Sequence, residues 1–174
     1  MRKANINDLE KIKEIVKKAK ISLKNDGVDQ WQRGNPDEKL LIHQISTGKS
    51  YVLEKSGEIL AYTFLSDEEE KTYEPIINQM KGDNYFVIHT FCVDTDHRGE
   101  GLASIFFDEI IKKAKERGKD CLRIDTHEDN FRMRSLISKM NFSYVGEIFI
   151  DDSGVFIKRF AYELILWLMT NKKK

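Results

Sequence analysis

The spacing of apolar residues divides the N-terminal part of the chain into two helical stretches. In the first, apolar residues recur every three or four positions, as expected for one buried helix face: Leu9, Ile12, Ile15, Val16, Ala19 and Leu23. Asn7 and Glu10 have the spacing of a capping box, which predicts that the helix begins there. A second helix is predicted to open at Pro36, with Asn35 as its cap, and to run to about Thr47.

Extended stretches are marked by β-branched and aromatic residues between turn signals. The segments SYVLE and EILAYTFL, joined by KSG, predict a β-hairpin, and YEPIINQM is read as a short helix. The segment NYFVIHTFCV (84–93) is apolar at nearly every position, which indicates a central strand of the sheet with neither face exposed to solvent. MRKAN, CLRIDTH (121–127) and a C-terminal hairpin around DDSG, made of FSYVGEIFI and VFIKRFAYELIL, supply the remaining strands.

A third helix follows the central strand and ends at Gly118, and a short fourth helix is predicted from Asn130 to Met140. The buried stripe of the third helix consists of Ala103, Phe106, Phe107, Ile110, Ile111 and Ala114. The element order is therefore βααβββαβαββ. It predicts an α/β fold with one mixed sheet of about seven strands and helices on both faces. At 174 residues, the chain is most simply a single domain, 1–174.

Composition and charge narrow the function classes. Lys plus Arg and Asp plus Glu number 29 each, so no bulk charge favours nucleic acid or an anionic membrane. The N-terminus shows no secretory signal, and the longest apolar run, LILWLM (164–169), is too short to span a bilayer. Only two cysteines occur, which fits a reducing compartment and offers no metal-ligand spacing. We expect a cytoplasmic protein without a metal.

The stretch CVDTDHRGEGLAS (92–104) carries the strongest chemical signal. A strand that runs through a glycine-rich turn into a helix directs free backbone N–H groups and the positive end of the helix dipole at one point, which suits a phosphate. The Walker pattern is absent. Gly99, Gly101 and Ser104 nearly meet a dinucleotide fingerprint, with Asp125 further on, although little chain remains for a doubly wound domain. A plain turn with a glycine hinge is the remaining alternative.

Taken whole, the run Arg98-Gly99-Glu100-Gly101-Leu102-Ala103 fits [RQ]-x-x-G-x-[GA] after a buried strand ending in Val-Asp. It resembles motif A of the GNAT acetyltransferases, and the element order and Asn130 agree with that superfamily. RIDTHEDNFRM and QWQRGNP further resemble a bacterial subgroup. The resemblance implies an acyl-CoA N-acyltransferase fold, splayed between its two central strands, and acetyl-CoA as cosubstrate.

The resemblance also implies the acetyl-CoA contacts. Backbone amides of residues 99 to 103 would hold the diphosphate. Amides near Phe91 to Val93 would pair with the pantetheine arm and with the thioester carbonyl. Asn130 would bond the pantetheine arm through its side chain, with a helix cap as its alternative role. Arg98 would add charge or pin the loop. The implied cofactor-binding residues are Phe91, Cys92, Val93, Arg98, Gly99, Glu100, Gly101, Leu102, Ala103 and Asn130.

The catalytic residues are less clear, because Ile137 stands where many relatives carry a tyrosine acid. Tyr144 is a weak substitute, with a core strand residue as the favoured alternative. His89 is the candidate base: strand alternation places it on the face of Val93, and acetyltransferases of aralkylamines carry a histidine at the matching place. A core histidine is the equal alternative. His127 is a weaker candidate that would line the same splay or orient His89, with a strand-end cap as the favoured alternative.

Two main functions remain open. The favoured one is an N-acetyltransferase that moves acetyl from acetyl-CoA to a primary amine, on a small molecule, peptide or protein, by direct attack in a ternary complex. The rival is an inactive GNAT-like module that binds CoA thioesters, and a dinucleotide-binding oxidoreductase is third. No nucleic-acid or membrane partner is expected. LILWLM is predicted as the last strand, with a homodimer contact as the alternative.

Overall fold

The computed structural model describes residues 1–167 and confirms the predicted element order. The strands are β1 (Arg2–Lys3), β2 (Ser50–Lys55), β3 (Glu58–Ser66), β4 (Tyr85–Val93), β5 (Cys121–His127), β6 (Ser143–Asp152) and β7 (Val155–Ile165). The helices are α1 (Leu9–Asn25), α2 (Glu38–Ser46), α3 (Leu102–Glu116) and α4 (Phe131–Lys139). Short 3-10 turns cover Ile6–Asp8, Lys71–Gln79 and Thr95–His97.

The seven strands form one mixed sheet in the order β1-β2-β3-β4-β5-β7-β6. β4 and β5 run parallel, with Tyr85 opposite Cys121 and Val87 opposite Arg123. β5 pairs with β7 in antiparallel register, and β6 and β7 form the C-terminal hairpin. This architecture confirms the mixed α/β sheet of seven strands. Parallel pairing requires a crossover connection, and α3 provides it between β4 and β5.

The residues pack as two compact units, each made of two chain segments. The first unit comprises residues 1–65 and 89–107, and the second comprises residues 66–88 and 108–167. A core cluster of the first unit joins α1, α2 and the strands through Ile12, Ile15, Leu41, Val52, Tyr62 and Cys92. A core cluster of the second unit consists of Tyr73, Ile76, Val87, Ile148 and Ala161.

The N-terminal caps differ from the sequence prediction. Asn5, and not Asn7, accepts a backbone hydrogen bond at the start of the first turn, and Asp8 completes the capping box by accepting from the Asn5 amide at 2.8 Å. The predicted Asn7 and Glu10 pair is therefore wrong, because a 3-10 turn precedes α1 and moves the cap upstream. Asp37, and not Asn35, caps α2 by accepting from the Leu40 amide.

Other elements follow the apolar pattern closely. The predicted stripe of α3 is confirmed from Phe106 onward, since Phe106, Phe107, Ile110 and Ala114 have no exposed surface, whereas Ala103 is only half-buried. The segment predicted as a short helix is the 3-10 turn Lys71–Gln79. β7 ends at Ile165, and the part of LILWLM beyond residue 167 lies outside the described residues. Within residues 1–167, none of the helices combines the length and the apolar character that a membrane span requires.

Candidate functional site

The loop after β4, residues 94–101, lies in the first unit and leads directly into α3. Gly99 and Gly101 have φ angles of +86° and +72°, in the left-handed region that glycine adopts without strain. The Ile105 amide donates to the Gly101 carbonyl at 3.1 Å, so the helical ladder begins at this glycine. The two glycines that the sequence singled out are therefore required by the turn itself.

The loop is suited to an anionic ligand. Gly101 precedes α3 and has no side chain that could accept hydrogen bonds from the first-turn amides, which an Asn, Asp or Ser at this position would do. A Cβ built on Gly99 or Gly101 would meet no atom within 4 Å, so the space beside the loop is open. The positive end of the α3 dipole and the first-turn N–H groups therefore favour a phosphate or diphosphate.

Asp94 anchors the start of this loop. Its carboxylate is 1% exposed and accepts from Lys11 Nζ at 3.0 Å and Lys18 Nζ at 3.1 Å. It also accepts from the Asp96 amide at 3.1 Å. Burial opposes ionisation of Asp94, but the amide and the two ammonium groups outweigh it and lower the pKa of this carboxyl. The loop is thus attached to α1 by an ionised aspartate.

Arg98 contacts α1, which agrees with the pinning role that the sequence analysis gave beside added charge. Its Nη2 donates to Ser22 Oγ at 2.5 Å, which ties the loop to α1 a second time. His97 and Glu100 brace the turn internally, with Nδ1 and Oε1 3.0 Å apart. The hydrogen bond to Glu100 raises the pKa of His97. These contacts hold the loop backbone while Gly99 and Gly101 remain exposed.

β4 is irregular at Thr90, one residue after His89. Thr90 has a φ of +50°, an uncommon conformation for a β-branched residue. Its Oγ1 accepts from Gln44 Nε2 at 3.0 Å, and the His89 carbonyl accepts from Thr63 Oγ1 at 3.0 Å. Side chains do not alternate regularly across a strand irregularity of this kind, so His89 and Val93 are no longer expected to lie on the same face of the sheet.

The side chains around the irregularity contact different partners. The His89 ring lies 6.0 Å from the Phe64 ring, whereas Phe91 stacks against Phe106 and Phe107 of α3 at 5.5 and 4.5 Å. Cys92 is buried in the core cluster with α1 and α2. His89 is half-buried and not enclosed in the core, as a residue that meets a substrate requires. The first unit therefore brings His89, Phe91 to Val93 and the glycine loop into one compact body.

The second unit contains Asn130, the remaining cofactor candidate. Its side chain caps α4 by accepting from the Met133 amide at 3.2 Å and donates to Thr126 Oγ1 at 3.1 Å. The capping role considered from sequence is therefore present. The cap and the bond to β5 hold the residue rigidly at the point where β5 turns into α4.

The other proton-transfer candidates, Tyr144 and His127, also lie in the second unit. Tyr144 is 53% exposed, so the alternative that it is a core residue is wrong. It lines an open groove of about 400 Å³, and burial and Glu147 raise its pKa, which keeps the phenol protonated near neutral pH. His127 Nδ1 accepts from the Asp129 amide at 3.1 Å. Ile137 is fully buried.

Sequence reasoning missed a contact between Tyr73 and Asp125 in the second unit. Tyr73, from the 3-10 turn before β4, has its hydroxyl 3.1 Å from Asp125 Oδ2 on β5. The two residues are 52 positions apart, and no local pattern links them.

Among the described residues, no group of three or more His, Cys, Asp or Glu side chains is placed to share a metal ion.

Comparisons with known proteins agree with this architecture. The model of the acetyltransferase (GNAT) family matches residues 10–142. A GNAT-family acetyltransferase from Streptococcus agalactiae 2603 has a TM-score of 0.83 and 27% identity, covering 94% of this chain and 93% of that chain. No curated protein matched the chain at a significant level.

Two more distant structures share the fold. An acetyltransferase from Salmonella typhimurium, solved with its cofactor acetyl-CoA, has a TM-score of 0.68 and 17% identity, over 95% of this chain and 92% of that chain. A ribosomal-protein-alanine N-acetyltransferase from Brucella melitensis has a TM-score of 0.67 and 17% identity, over 95% and 98%. The family model covers most of the chain, and the sheet, the glycine loop and the helix order agree with it. The protein belongs to the GNAT family of acetyltransferases.

Proposed function

We propose that this acetyltransferase transfers the acetyl group of acetyl-CoA to a primary amine by direct attack in a ternary complex. The observation that carries the proposal is the start of α3, where Gly101 has no side chain that could cap the first-turn amides and a Cβ on it would meet open space. Such a terminus suits the diphosphate of a CoA ester. The Salmonella relative, which was solved with acetyl-CoA, supports the same donor here.

Each candidate residue has a role in holding acetyl-CoA. The amides of residues 99 to 103 would bind the diphosphate, and Arg98 would hold their loop in place through Ser22. Backbone amides of Phe91 to Val93 would bind pantetheine and the thioester carbonyl, which stabilises negative charge on that oxygen during attack. Asn130, which caps α4 and donates to Thr126, would also bond the pantetheine arm.

The reaction needs one proton acceptor. An alkylammonium has a pKa of about 10.4, so near pH 7 the acceptor must lose a proton before its nitrogen can attack. We assign this step to the His89 imidazole, directly or through water. The nitrogen–carbon bond then forms, the carbon–sulfur bond breaks, and the sulfur leaves as thiolate or takes a proton, with Tyr144 and then His127 as the candidate donors.

The acceptor class is open to direct measurement. The Brucella relative is a ribosomal-protein-alanine N-acetyltransferase, so an amino group on a protein belongs in the panel beside small amines. We propose a panel of tyramine, spermidine, lysine amide and a peptide with N-terminal alanine, with release of free CoA as the readout. Both cysteines are free and buried, which is consistent with the cytoplasmic location that we propose.

The panel separates the proposed function from its rivals. CoA release that depends on an amine supports the acetyltransferase. Acetyl-CoA that raises the melting temperature without CoA release on any amine would instead favour an inactive CoA-thioester module. A melting temperature that responds to NAD(H) and not to acetyl-CoA would favour the oxidoreductase.

Replacement of His89 tests the proton acceptor. His89→Gln keeps a similar volume but cannot accept a proton near pH 7, so turnover should fall about 100-fold or more. Acetyl-CoA affinity should change little, because backbone amides form that site. The measurement is the pH profile of kcat with the best amine of the panel. Unchanged turnover and an unchanged profile would make His89 a structural residue.

A further inference from the structure

The connection between β3 and β4 is unusually long. β3 ends at Ser66 and β4 begins at Tyr85, although the two strands are neighbours in the sheet. Consecutive neighbouring strands are usually joined by about 2 to 5 residues, and much longer connections commonly have a function of their own. We call residues 67–84 the β3–β4 arm.

The C-terminal end of the arm is held within the second unit by a buried ion pair with partners on β5 and β7. Arg123 and Glu163 are 2% and 4% exposed, with Nε and Oε1 3.3 Å apart. The Lys81 amide donates to Glu163 Oε2 at 2.9 Å, and Arg123 Nη2 donates to the Gly82 carbonyl at 2.6 Å. The ion pair thus binds the backbone of the arm, which leaves this end little freedom.

The middle of the arm is fixed by close packing. Ile76 lies directly over Gly146 of β6, where a Cβ would approach Ile76 Cγ2 to 2.9 Å. Tyr73, three residues earlier, is 1% exposed and belongs to the same core cluster as Ile76. The arm therefore holds the Tyr73 hydroxyl in a defined position.

The Tyr73 hydroxyl donates a hydrogen bond to Asp125. Burial, followed by the negative charge of Asp125, raises the pKa of Tyr73 well above its usual range, so the phenol stays protonated. An ionised carboxylate can only accept, and the 3.1 Å contact to Oδ2 is thus a hydrogen bond from Tyr73. The contact orients the carboxylate and leaves Oδ1 available to another donor.

The Asp125 carboxylate accepts from Tyr73 but has no basic partner in the part of the chain that the structure describes. Arg123 is its nearest basic neighbour along β5, and Arg123 is already paired with Glu163. Within residues 1–167, no Lys or Arg side chain forms an ion pair with Asp125. A half-buried carboxylate that has one protein donor and no protein cation can accept a hydrogen bond from a cationic ligand. Such charge-assisted hydrogen bonds are about twice as strong as those between neutral groups.

We propose that Asp125 binds the ammonium group of the acceptor amine and that Tyr73 is the positioning residue for its carboxylate. This inference rests on the proposed amine acetylation and gives it a substrate class, amines that are cationic at neutral pH. Asp125 binds the protonated amine before the proton is removed. Arylamines, which are neutral at pH 7, do not gain from this contact.

Steady-state kinetics at pH 7 with the best amine of the panel tests the inference. Asp125→Asn keeps the shape and removes the charge, and it should raise the KM for the amine at least about 10-fold, since a charge-assisted hydrogen bond is lost. Tyr73→Phe should raise the same KM about 3-fold or more. Neither variant should change the KM for acetyl-CoA. Tyr51→Phe, at another buried tyrosine, is the matched control and should change neither constant.

Aniline, a neutral arylamine, provides a second readout. The ratio of kcat/KM for the best cationic amine to that for aniline should fall at least about 10-fold in Asp125→Asn. An unchanged amine KM and an unchanged ratio in folded Asp125→Asn would overturn this inference alone. Wild-type protein without turnover on any amine would overturn it together with the proposed function. If Tyr73→Phe changes the KM for the amine and the KM for acetyl-CoA equally, Tyr73 is structural and its positioning role is overturned.

Discussion

The two connections on either side of β4 are built in opposite ways. The β3–β4 arm is held by buried charges, since Glu163 and Arg123 bind its backbone amide and carbonyl groups. The loop after β4, residues 94–101, is held from one side by Asp94 and Arg98, while a Cβ on either of its two glycines would meet no atom within 4 Å.

The difference shows how each connection is suited to its role. In the arm, backbone hydrogen-bond donors are bound within the protein, so the arm presents side chains such as Tyr73 in fixed positions. In the loop after β4, Gly101 precedes α3 without a side chain that could cap the first-turn amides, which suits these amides to a ligand. Substitutions in the arm should therefore affect stability, whereas substitutions at the loop glycines should affect acetyl-CoA binding.

The largest effect is expected when the attachment of the arm is broken. Glu163→Gln leaves Arg123 buried without a counter-charge and replaces one acceptor oxygen with a donor that faces the Lys81 or Gly82 amide. Loss of one partner of a buried pair lowers the free energy of unfolding by about 3–5 kcal/mol. Urea denaturation measures the loss.

The control for that experiment is an exposed ion pair. Glu116→Gln removes the partner of Lys113 on the surface of α3, where the Glu116 side chain is 46% exposed. Exposed pairs contribute about 0–1 kcal/mol, so the stability should hardly change. Equal losses in the two variants would mean that the buried pair does not hold the arm.

The next effect concerns the glycine loop. Gly101→Val places a branched side chain in the open space beside the first turn of α3 and should weaken acetyl-CoA binding about 100-fold or more. A valine at the positive φ of residue 101 also strains the backbone, which lowers the stability of the fold by about 1–3 kcal/mol. Gly118→Val is the matched control, because Gly118 has a φ of +66° and equally open surroundings. Calorimetric titration should show normal affinity in the control, and normal affinity in Gly101→Val would contradict the diphosphate assignment.

The smallest effect concerns the anchor of the loop. Because the pKa of Asp94 is lowered in the folded state, its charge stabilises the protein above the unfolded value of about 3.9 and ceases to do so as the pH falls through the folded value. Asp94→Asn should lower stability by about 1–2 kcal/mol at pH 7. The difference in melting temperature from wild type should shrink below about pH 4; a constant difference from pH 3 to 7 would rule out the ionic anchor.

The loop after β4 could be predicted from sequence because its determinants are local. Two glycines with one residue between them mark positive φ angles, and the apolar stripe from Phe106 onward marks the buried face of α3. Every strand and helix was recognised for the same reason. The cap of α2 was assigned to Asn35 and not to Asp37, because both side chains are good caps and the pattern alone does not separate them.

The β3–β4 arm and the irregularity of β4 could not be predicted. The contact of Lys81 with Glu163 joins residues 82 positions apart, and that of Tyr73 with Asp125 joins residues 52 apart. Thr90 has a positive φ and accepts a hydrogen bond from Gln44, and no local pattern in the β4 sequence predicts either feature. Charge and alternation rules describe single segments, and these features depend on pairs of segments.

The two cysteines have a practical consequence for enzymology. Cys92 and Cys121 are free and buried, and burial raises the pKa of each thiol to about 12. Thiol reagents react with the thiolate, which is scarce at such values, and the protein around both sulfur atoms blocks access. A chromogenic disulfide added to native protein should therefore give a nearly flat baseline. Any sustained colour in the presence of acetyl-CoA then measures the sulfhydryl product of turnover.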